Sequence, residues 1–400
     1  MKIVAIAFRY LWSRPLAASL NLLLLALGLA SITFVWITSE QMDRAFDRDL
    51  AGIDVVVGAK GSPMQLILAG VFHIDVPPGN IPLAAVQEMQ KDPRVAQLIP
   101  ISLGDTFRGF RIVGTSTAYA AHYDAQLAQG KLWYLPMQAV VGAQVAANTG
   151  LAVGNKFYGS HGLGGGGHIH GDFPYLVTGV LAPCGCVLDR LVLTATESVW
   201  KVHEKATALD EEDQKIMEAE REITLALITY KSPLAAVTFP RFINTTTEMQ
   251  AAAPAVEITR LLRMVGVGTD VLRGFGAVLL LTAGLSVFIA LWNAVRERRA
   301  DLAMLRMLGA SPYKVAGLVL CEALLLAAMA TALGLLGGHL LAQLVGSWLQ
   351  AERSLPLTGW IWLPSEWWVL LLGAVVATLA AALPAWEAYR LDVTTLLNHR

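Results

Sequence analysis

Between Pro15 and Ser39 the chain carries no charged side chain. A helix needs about 20 mainly apolar residues to cross a hydrocarbon core roughly 30 Å thick. In lipid every backbone amide and carbonyl must be satisfied within the segment, so such a run has few alternatives to a helix. Three more runs follow. Gly274–Val295 and Trp367–Trp386 are uncharged, and the run from about Val315 to Leu349 holds one charged residue, Glu322, near its start. Each Leu, Ile, Phe or Val at a helix centre favours insertion by about 0.3–0.6 kcal/mol, so a stretch such as Leu22–Leu25 inserts readily. Only 15% of the chain is charged, against about 25% in soluble domains, and these runs account for the difference. The first run follows Lys2, Arg9 and Arg14. It is too long for the roughly 7–15-residue core of a signal peptide, so an uncleaved anchor is expected.

Short-loop Lys and Arg residues set the orientation. Lys2, Arg9 and Arg14 precede the first run; Arg296, Arg298, Arg299, Arg306 and Lys314 lie between the second and third; Arg390 and Arg400 follow the fourth. The loop between the third and fourth holds only Arg353. One arrangement fits all four: a multi-pass membrane protein with both termini and the second loop cytoplasmic. The expected order is a cytoplasmic amphipathic N-terminus (1–14), spans at 15–39, 273–295, 315–345 and 367–387, and a large extracytoplasmic segment at 40–272. A cytoplasmic loop (296–314), a short external loop (346–366) and a cytoplasmic tail (388–400) complete it. The net charge of -1 offers no basic field for nucleic acid.

Segment 40–272 is long enough for one or two cores. Strands are expected at Ile53–Gly58, Phe110–Thr115, Tyr175–Leu181, Leu191–Thr194 and Leu225–Tyr230, where β-branched and apolar residues cluster. Ala139–Gly142 reads as a strand entering a short helix that ends at Gly150. Pro82–Gln90 and Ala206–Glu222 read as helices, the second polar all round. This is a mixed α/β domain inserted between the first and second spans of a helical bundle. Charges at helical spacing in Glu40–Leu50 and the face of Ile258, Leu261, Leu262 and Val265 read either as stalks continuing the spans or as two interfacial helices.

The segment from Arg296 through Glu297-Arg298-Arg299-Ala300-Asp301-Leu302-Ala303-Met304-Leu305-Arg306-Met307-Leu308-Gly309-Ala310 to Ser311 resembles the cytoplasmic loop of FtsX/MacB-type ABC transporter permeases. So do Tyr313, Lys314, Glu322 and the stretch Gly334, Gly337, Gly338. Pro384-Ala385-Trp386-Glu387-Ala388 through Asp392-Val393 to Leu396-Leu397 is similar to the family's closing pattern, with Val393 in place of its proline. Arg9–Pro15 also looks familial. Val141–Ala146 and Leu151–Asn155 are similar to the family's periplasmic module. The resemblance implies a homodimeric, non-catalytic subunit of a bacterial inner membrane, with segment 40–272 periplasmic, that works with a separate cytoplasmic ABC ATPase, membrane lipid and, in some relatives, a periplasmic partner. ATP would enter through that ATPase, since the chain has no Gly-x-x-x-x-Gly-Lys-Ser/Thr phosphate loop. It assigns coupling to Glu297, Arg298, Arg299, Asp301, Leu302, Leu305, Arg306, Gly309 and Ala310. From the residues alone, Leu302, Leu305, Arg306 and Leu308 form a strip that reads either as a surface docking in a partner groove or as a basic face on anionic headgroups. Glu322 reads as a structural partner of a loop Arg or as an intramembrane proton relay. Asn21, Asn293, His339 and Gln343 are too scattered to line a channel, and the glycines suit close helix packing.

One loop carries separate chemistry. His161, His168, His170 and Asp172 lie in a glycine-rich stretch, and Cys184-Gly185-Cys186 follows. Imidazole and thiolate are ligands for Zn²⁺ or copper. A zinc site made from these six residues is one expectation; a Cys184–Cys186 disulfide beside a solvated loop is the other. No Ser/His/Asp set or carboxylate pair supports an enzyme. Three function readings stay open beside an ATPase-coupled permease: a lipoprotein- or lipid-releasing permease, a membrane-anchored activator, and a metal sensor.

Overall fold

The computed structural model describes residues 3–161, 172–207, 217, 220–351 and 357–391. The chain divides into two units, Met1–Met42 with Met264–Arg400, and Asp43–Arg263.

The first unit is a helical bundle. An N-terminal helix, Ile3–Leu11, precedes a first span helix, Pro15–Leu50. The second span helix is Pro254–Glu297, the third Pro312–Ala351 and the fourth Trp367–Tyr389. All four are long and apolar enough to cross a membrane. Leu25 and Leu29 of the first span, Ala283 and Val287 of the second, Ala327 and Ala330 of the third, and Ala377 and Ala381 of the fourth share one buried core. Small residues let the backbones approach. A Cβ on Gly334 would meet Leu29 Cβ at 2.7 Å, and one on Gly338 would meet Thr33 Cβ at 2.6 Å. Outward faces are apolar too: Leu16, Leu20, Leu23 and Leu27 are exposed at helical spacing, as lipid-facing residues are. Two polar contacts inside the bundle show how hydroxyls are accommodated. Ser286 Oγ donates to Asn21 Oδ1 at 2.5 Å, and Thr33 Oγ1 to the Leu29 carbonyl at 2.9 Å.

The second unit is mixed α/β. Its described strands are β1 (Val55–Ala59), β2 (Ile81–Pro82), β3 (Val95–Phe107), β4 (Phe110–Thr115), β5 (Leu127–Gly130), β6 (Gln138–Val141), β7 (Lys156–Phe157), β8 (Ser160–His161), β9 (Tyr175–Leu181), β10 (Leu191–Ala195), β11 (Glu222–Ile223), β12 (Leu225–Tyr230) and β13 (Met249–Ala252). Eleven make one sheet in the order β13-β1-β12-β3-β4-β10-β6-β9-β5, with β7 paired to β9 and β8 to β3. Strands β2 and β11 form a separate ribbon. The pairs β10–β4 and β6–β9 are parallel and the rest antiparallel. Two buried clusters pack on the sheet. In one, Val55, Val57, Leu98 and Ile228 pack with Phe239 and Ile243 of a helix at Ala235–Thr246. In the other, Ile112, Val141, Phe157, Tyr175 and Val192 pack together. Full burial of each such side chain contributes about 1.5–3 kcal/mol before chain entropy is subtracted.

Three strands, β4, β9 and β12, coincide with their sequence assignments. The longest, β3, escapes sequence reading because Pro100 and Gly104 punctuate it. Burial decides there: Ile99 and Ile101 are almost fully enclosed, and Ile101 pairs with Leu225. The helix Ala235–Thr246 is likewise hidden in the sequence by Pro240. The helix expected at Ala206–Glu222 falls largely outside the described residues; a helix stands at Thr196–Thr207, and Glu222 belongs to β11.

Within this unit the end of the helix Pro15–Leu50 is bound by polar groups. Val187 N donates to Asp49 Oδ1 at 2.9 Å and Tyr123 Oη to the Asp49 carbonyl at 2.8 Å. Next to Tyr123, Tyr119 Oη lies 3.0 Å from Nε2 of His73. His73 is buried, and loss of solvation, reinforced by Arg111 and Arg190, holds its pKa well below the usual histidine value. The ring is therefore neutral in the folded domain.

Candidate functional site

The coupling segment begins where the second span helix ends at Glu297. A short helix, Arg299–Met307, follows. It stops at Gly309, whose φ of 95° favours glycine. Ala310 N donates to the Leu305 carbonyl and Gly309 N to the Arg306 carbonyl, each at 3.0 Å. These two bonds make the Schellman termination. Gly309 thus has a local structural reason, and Pro312 opens the third span helix at once.

Arginines staple this helix into the bundle. Arg298 Nη2 donates to the Tyr10 carbonyl at 2.9 Å and to Ser13 Oγ at 2.5 Å, with its guanidinium 4.4 Å from the Tyr10 ring centroid. Its Nη1 lies 3.6 Å from Glu322 Oε2. Arg299 pairs with Glu387 of the fourth span helix, and Arg306 donates to the Leu391 carbonyl just beyond it. Arg14 pairs with Glu297 at the surface. One nine-residue helix is thereby tied to the N-terminal helix, the third span and the end of the fourth.

The strip read from the sequence is split between two faces: Leu302, Leu305 and Arg306 turn toward the bundle, and Leu308 turns outward. Leu302 and Ala303 are buried, and Leu305 packs on the bundle core beside the half-buried Arg306 and Ala310. The outward face carries Met304, Met307 and Leu308, which are 55%, 58% and 80% exposed, with Arg299, Ala300 and Asp301. Both faces carry large apolar side chains, so periodicity alone could not choose between them. Tyr10 and Ser13, the backbone and side-chain partners of Arg298, were also missed; no local signal connects them to a loop nearly 300 residues away.

Glu322 is buried beside Arg298, as its structural reading has it. Asn21, Arg298 and Glu322 line one small cavity of about 40 Å³, and no second carboxylate lines it.

Among the described residues, the proposed metal ligands are not brought together. Cys184 and Cys186 form a disulfide, which removes both sulfurs from a thiolate ligand set. The turn that allows it has Gly185 at φ 64°, and the Asp189 carboxylate accepts from the amides of Cys184 (3.0 Å) and Gly185 (2.7 Å). His168 and His170 lie outside the described residues, His161 is described only as part of β8, and Asp172 is exposed. Among the described residues, no three His, Cys, Asp or Glu side chains form a metal-binding group.

Residues 273–393 match the family model described as FtsX-like permease C-terminal. No curated protein sequence matches the chain. Among solved structures, the periplasmic region of MacB from Actinobacillus actinomycetemcomitans is 12% identical, with a TM-score of 0.35, over 54% of this chain and 95% of that one. The extracellular domain of the noncanonic ABC-type transporter YknZ from Gram-positive bacteria is 10% identical, with a TM-score of 0.31, over 49% of this chain and 98% of that one.

Proposed function

We propose that this chain, an FtsX-like permease by its C-terminal domain at residues 273–393, is the membrane subunit of an ABC transporter complex. It couples a separate cytoplasmic ATPase to movement of the domain inserted between its first and second spans. The Lys and Arg distribution supports a cytoplasmic coupling segment and an extracytoplasmic inserted domain, and the family reading adds a bacterial inner membrane with that domain in the periplasm.

One observation carries this reading. The helix Arg299–Met307 exposes Met304, Met307 and Leu308, while Arg298, Arg299 and Arg306 fasten its surroundings to three other parts of the bundle. A partner bearing on the exposed face would therefore load the whole bundle and not a loose loop. Fully burying a Leu or Met side chain contributes about 1.5–3 kcal/mol. With Leu308 80% and Met304 55% exposed, the two offer together about 3 kcal/mol, or roughly two powers of ten in affinity.

The test is affinity purification of the tagged chain from solubilised native membranes, with mass spectrometry of its companions. A stoichiometric ABC ATPase is expected with the wild type and is lost with Met304→Asp/Leu308→Asp, whose own unfolding profile stays that of the wild type. Absence of an ATPase, under conditions that preserve a known permease complex, refutes the coupling role. Full recovery with the double variant refutes this docking face.

A further inference from the structure

A second constellation sits where residues 357–363 fold back along the third span helix. His339 of that helix and Glu366, at the end of a single 3-10 turn (Pro364–Glu366), are both buried. His339 Nδ1 lies 2.6 Å from the Gly359 carbonyl and Nε2 lies 3.2 Å from Glu366 Oε2. The other carboxylate oxygen, Oε1, accepts from Leu363 N at 2.8 Å. The Trp362 ring covers the imidazole at 4.3 Å between centroids. Gln343, one turn further along the same helix, accepts from Gly359 N at 2.9 Å. Gln41 of the first span helix makes both backbone hydrogen bonds of Thr358, at 2.7 and 3.0 Å.

The proton inventory follows from which atoms can donate. A carbonyl only accepts, so Nδ1 carries hydrogen. A carboxylate only accepts, so either Nε2 carries a second hydrogen or Glu366 is the acid and donates to Nε2. Both forms hold one proton more than neutral imidazole plus carboxylate, and both leave the pair with no net charge. Without that proton one imidazole hydrogen is left for two acceptors; drawn to Nε2 by the charged carboxylate, it leaves the Nδ1 lone pair facing the Gly359 carbonyl across 2.6 Å, and a buried negative charge remains. The groups that touch the pair are uncharged: the Gly359 carbonyl, the Leu363 amide and the Trp362 ring. The first span helix adds Ile37 against Leu363, and Gln41 on Thr358. The ionisable neighbour of Gln41, Glu40, has an interaction of its own. Among the described residues no other ionisable side chain pairs with either group.

The geometry points to His339–Glu366 as a proton-binding site whose occupied form latches residues 357–363 onto the third span. The fit of the latch is close. A Cβ on Gly359 would lie 2.0 Å from the His339 carbonyl, and one on Gly346 would lie 2.1 Å from that of Leu357. Loss of the proton releases the segment through its anchor at Gly359. Nothing in this inference depends on an ATPase partner.

The test uses the full chain in detergent. Cys184 and Cys186 are disulfide-bonded, so Cys321→Ser removes the remaining thiol. Leu357→Cys then reports the latch, because Leu357 is buried, and Trp360→Cys, at an exposed position, corrects for thiolate formation. Between pH 5.5 and 9.5 the corrected maleimide rate at position 357 is expected to rise at least tenfold. In Glu366→Gln the amide nitrogen donates to Nε2 without an added proton while Leu363 N keeps its acceptor, so protection should persist at every pH. His339→Ala should label rapidly throughout. Amide exchange of residues 357–366, corrected for its intrinsic pH dependence and measured without any cysteine reporter, should show the same contrast between wild type and Glu366→Gln. A pH-independent wild type in the exchange measurement, or a Glu366→Gln variant that tracks the wild type, overturns the proton site.

Discussion

The Arg298–Glu322 contact gives a cycle that can be worked from its geometry. Both side chains are largely buried, at 15% and 10% exposure. Arg298→Met keeps the aliphatic stem but leaves Glu322 enclosed without its cation. Removing one partner of a buried pair costs about 3–5 kcal/mol, chiefly through the charge left behind. Glu322→Leu should cost less, about 1–3 kcal/mol, because Arg298 retains the Tyr10 carbonyl, Ser13 Oγ and the Tyr10 ring. The double variant strands no charge. It loses the bonds to Tyr10 and Ser13, a cost of about 2–3 kcal/mol. The singles therefore sum to well above the double, with a coupling energy of about 2–4 kcal/mol. Thermal unfolding in detergent, read by a thiol-reactive coumarin, measures this at the right place. Cys321, the free cysteine, neighbours Glu322 in the third span helix. Additive losses, with the double equal to the sum of the singles within about 0.5 kcal/mol, would refute the claim that this pair is a working tie.

Other outcomes follow from the inserted domain. His73 is buried neutral, so below pH about 6.5 the unfolded chain binds a proton that the folded one does not, and stability falls with pH by up to about 1.4 kcal/mol per unit. Exchange of the β1 and β12 amides should show this slope between pH 6.5 and 5, and His73→Asn, which tolerates the φ of 55° there, should flatten it. An unchanged slope would place the acid sensitivity elsewhere. Reducing Cys184–Cys186 opens a loop of a few residues, so about 1.5 kcal/mol is expected from chain entropy, and the domain should stay folded on the Asp189 bonds. Unfolding of the domain by dithiothreitol would contradict that. With the sulfurs paired, zinc held by the glycine loop must rest on His161, His168, His170 and Asp172. Their joint replacement by Ala should abolish stoichiometric zinc in elemental analysis, and unchanged zinc would reject these ligands.

Much of this protein is written in short segments of its chain. An uncharged run such as Pro15–Ser39 has few options but a helix in lipid, because insertion is decided by the run's own length and composition. Strands β4, β9 and β12 were legible for the same local reason, as was the motif ending at Gly309. Contacts distant in sequence were not legible. The face of Arg299–Met307 that turns outward is set by Tyr10, Ser13 and Glu322 receiving Arg298, and an apolar helix with two eligible faces cannot declare which will be covered. The strand β3 exists because β12 and β4 flank it and bury its isoleucines despite Pro100. Cys184 and Cys186 could be read as ligands or as a disulfide until Gly185 and Asp189 shaped the turn. His339 looked like one of several scattered polar residues. Only the chain reversal through residues 357–363 sets Glu366 and the Gly359 carbonyl on its two nitrogens, and that meeting of three distant groups is a property of the tertiary structure alone.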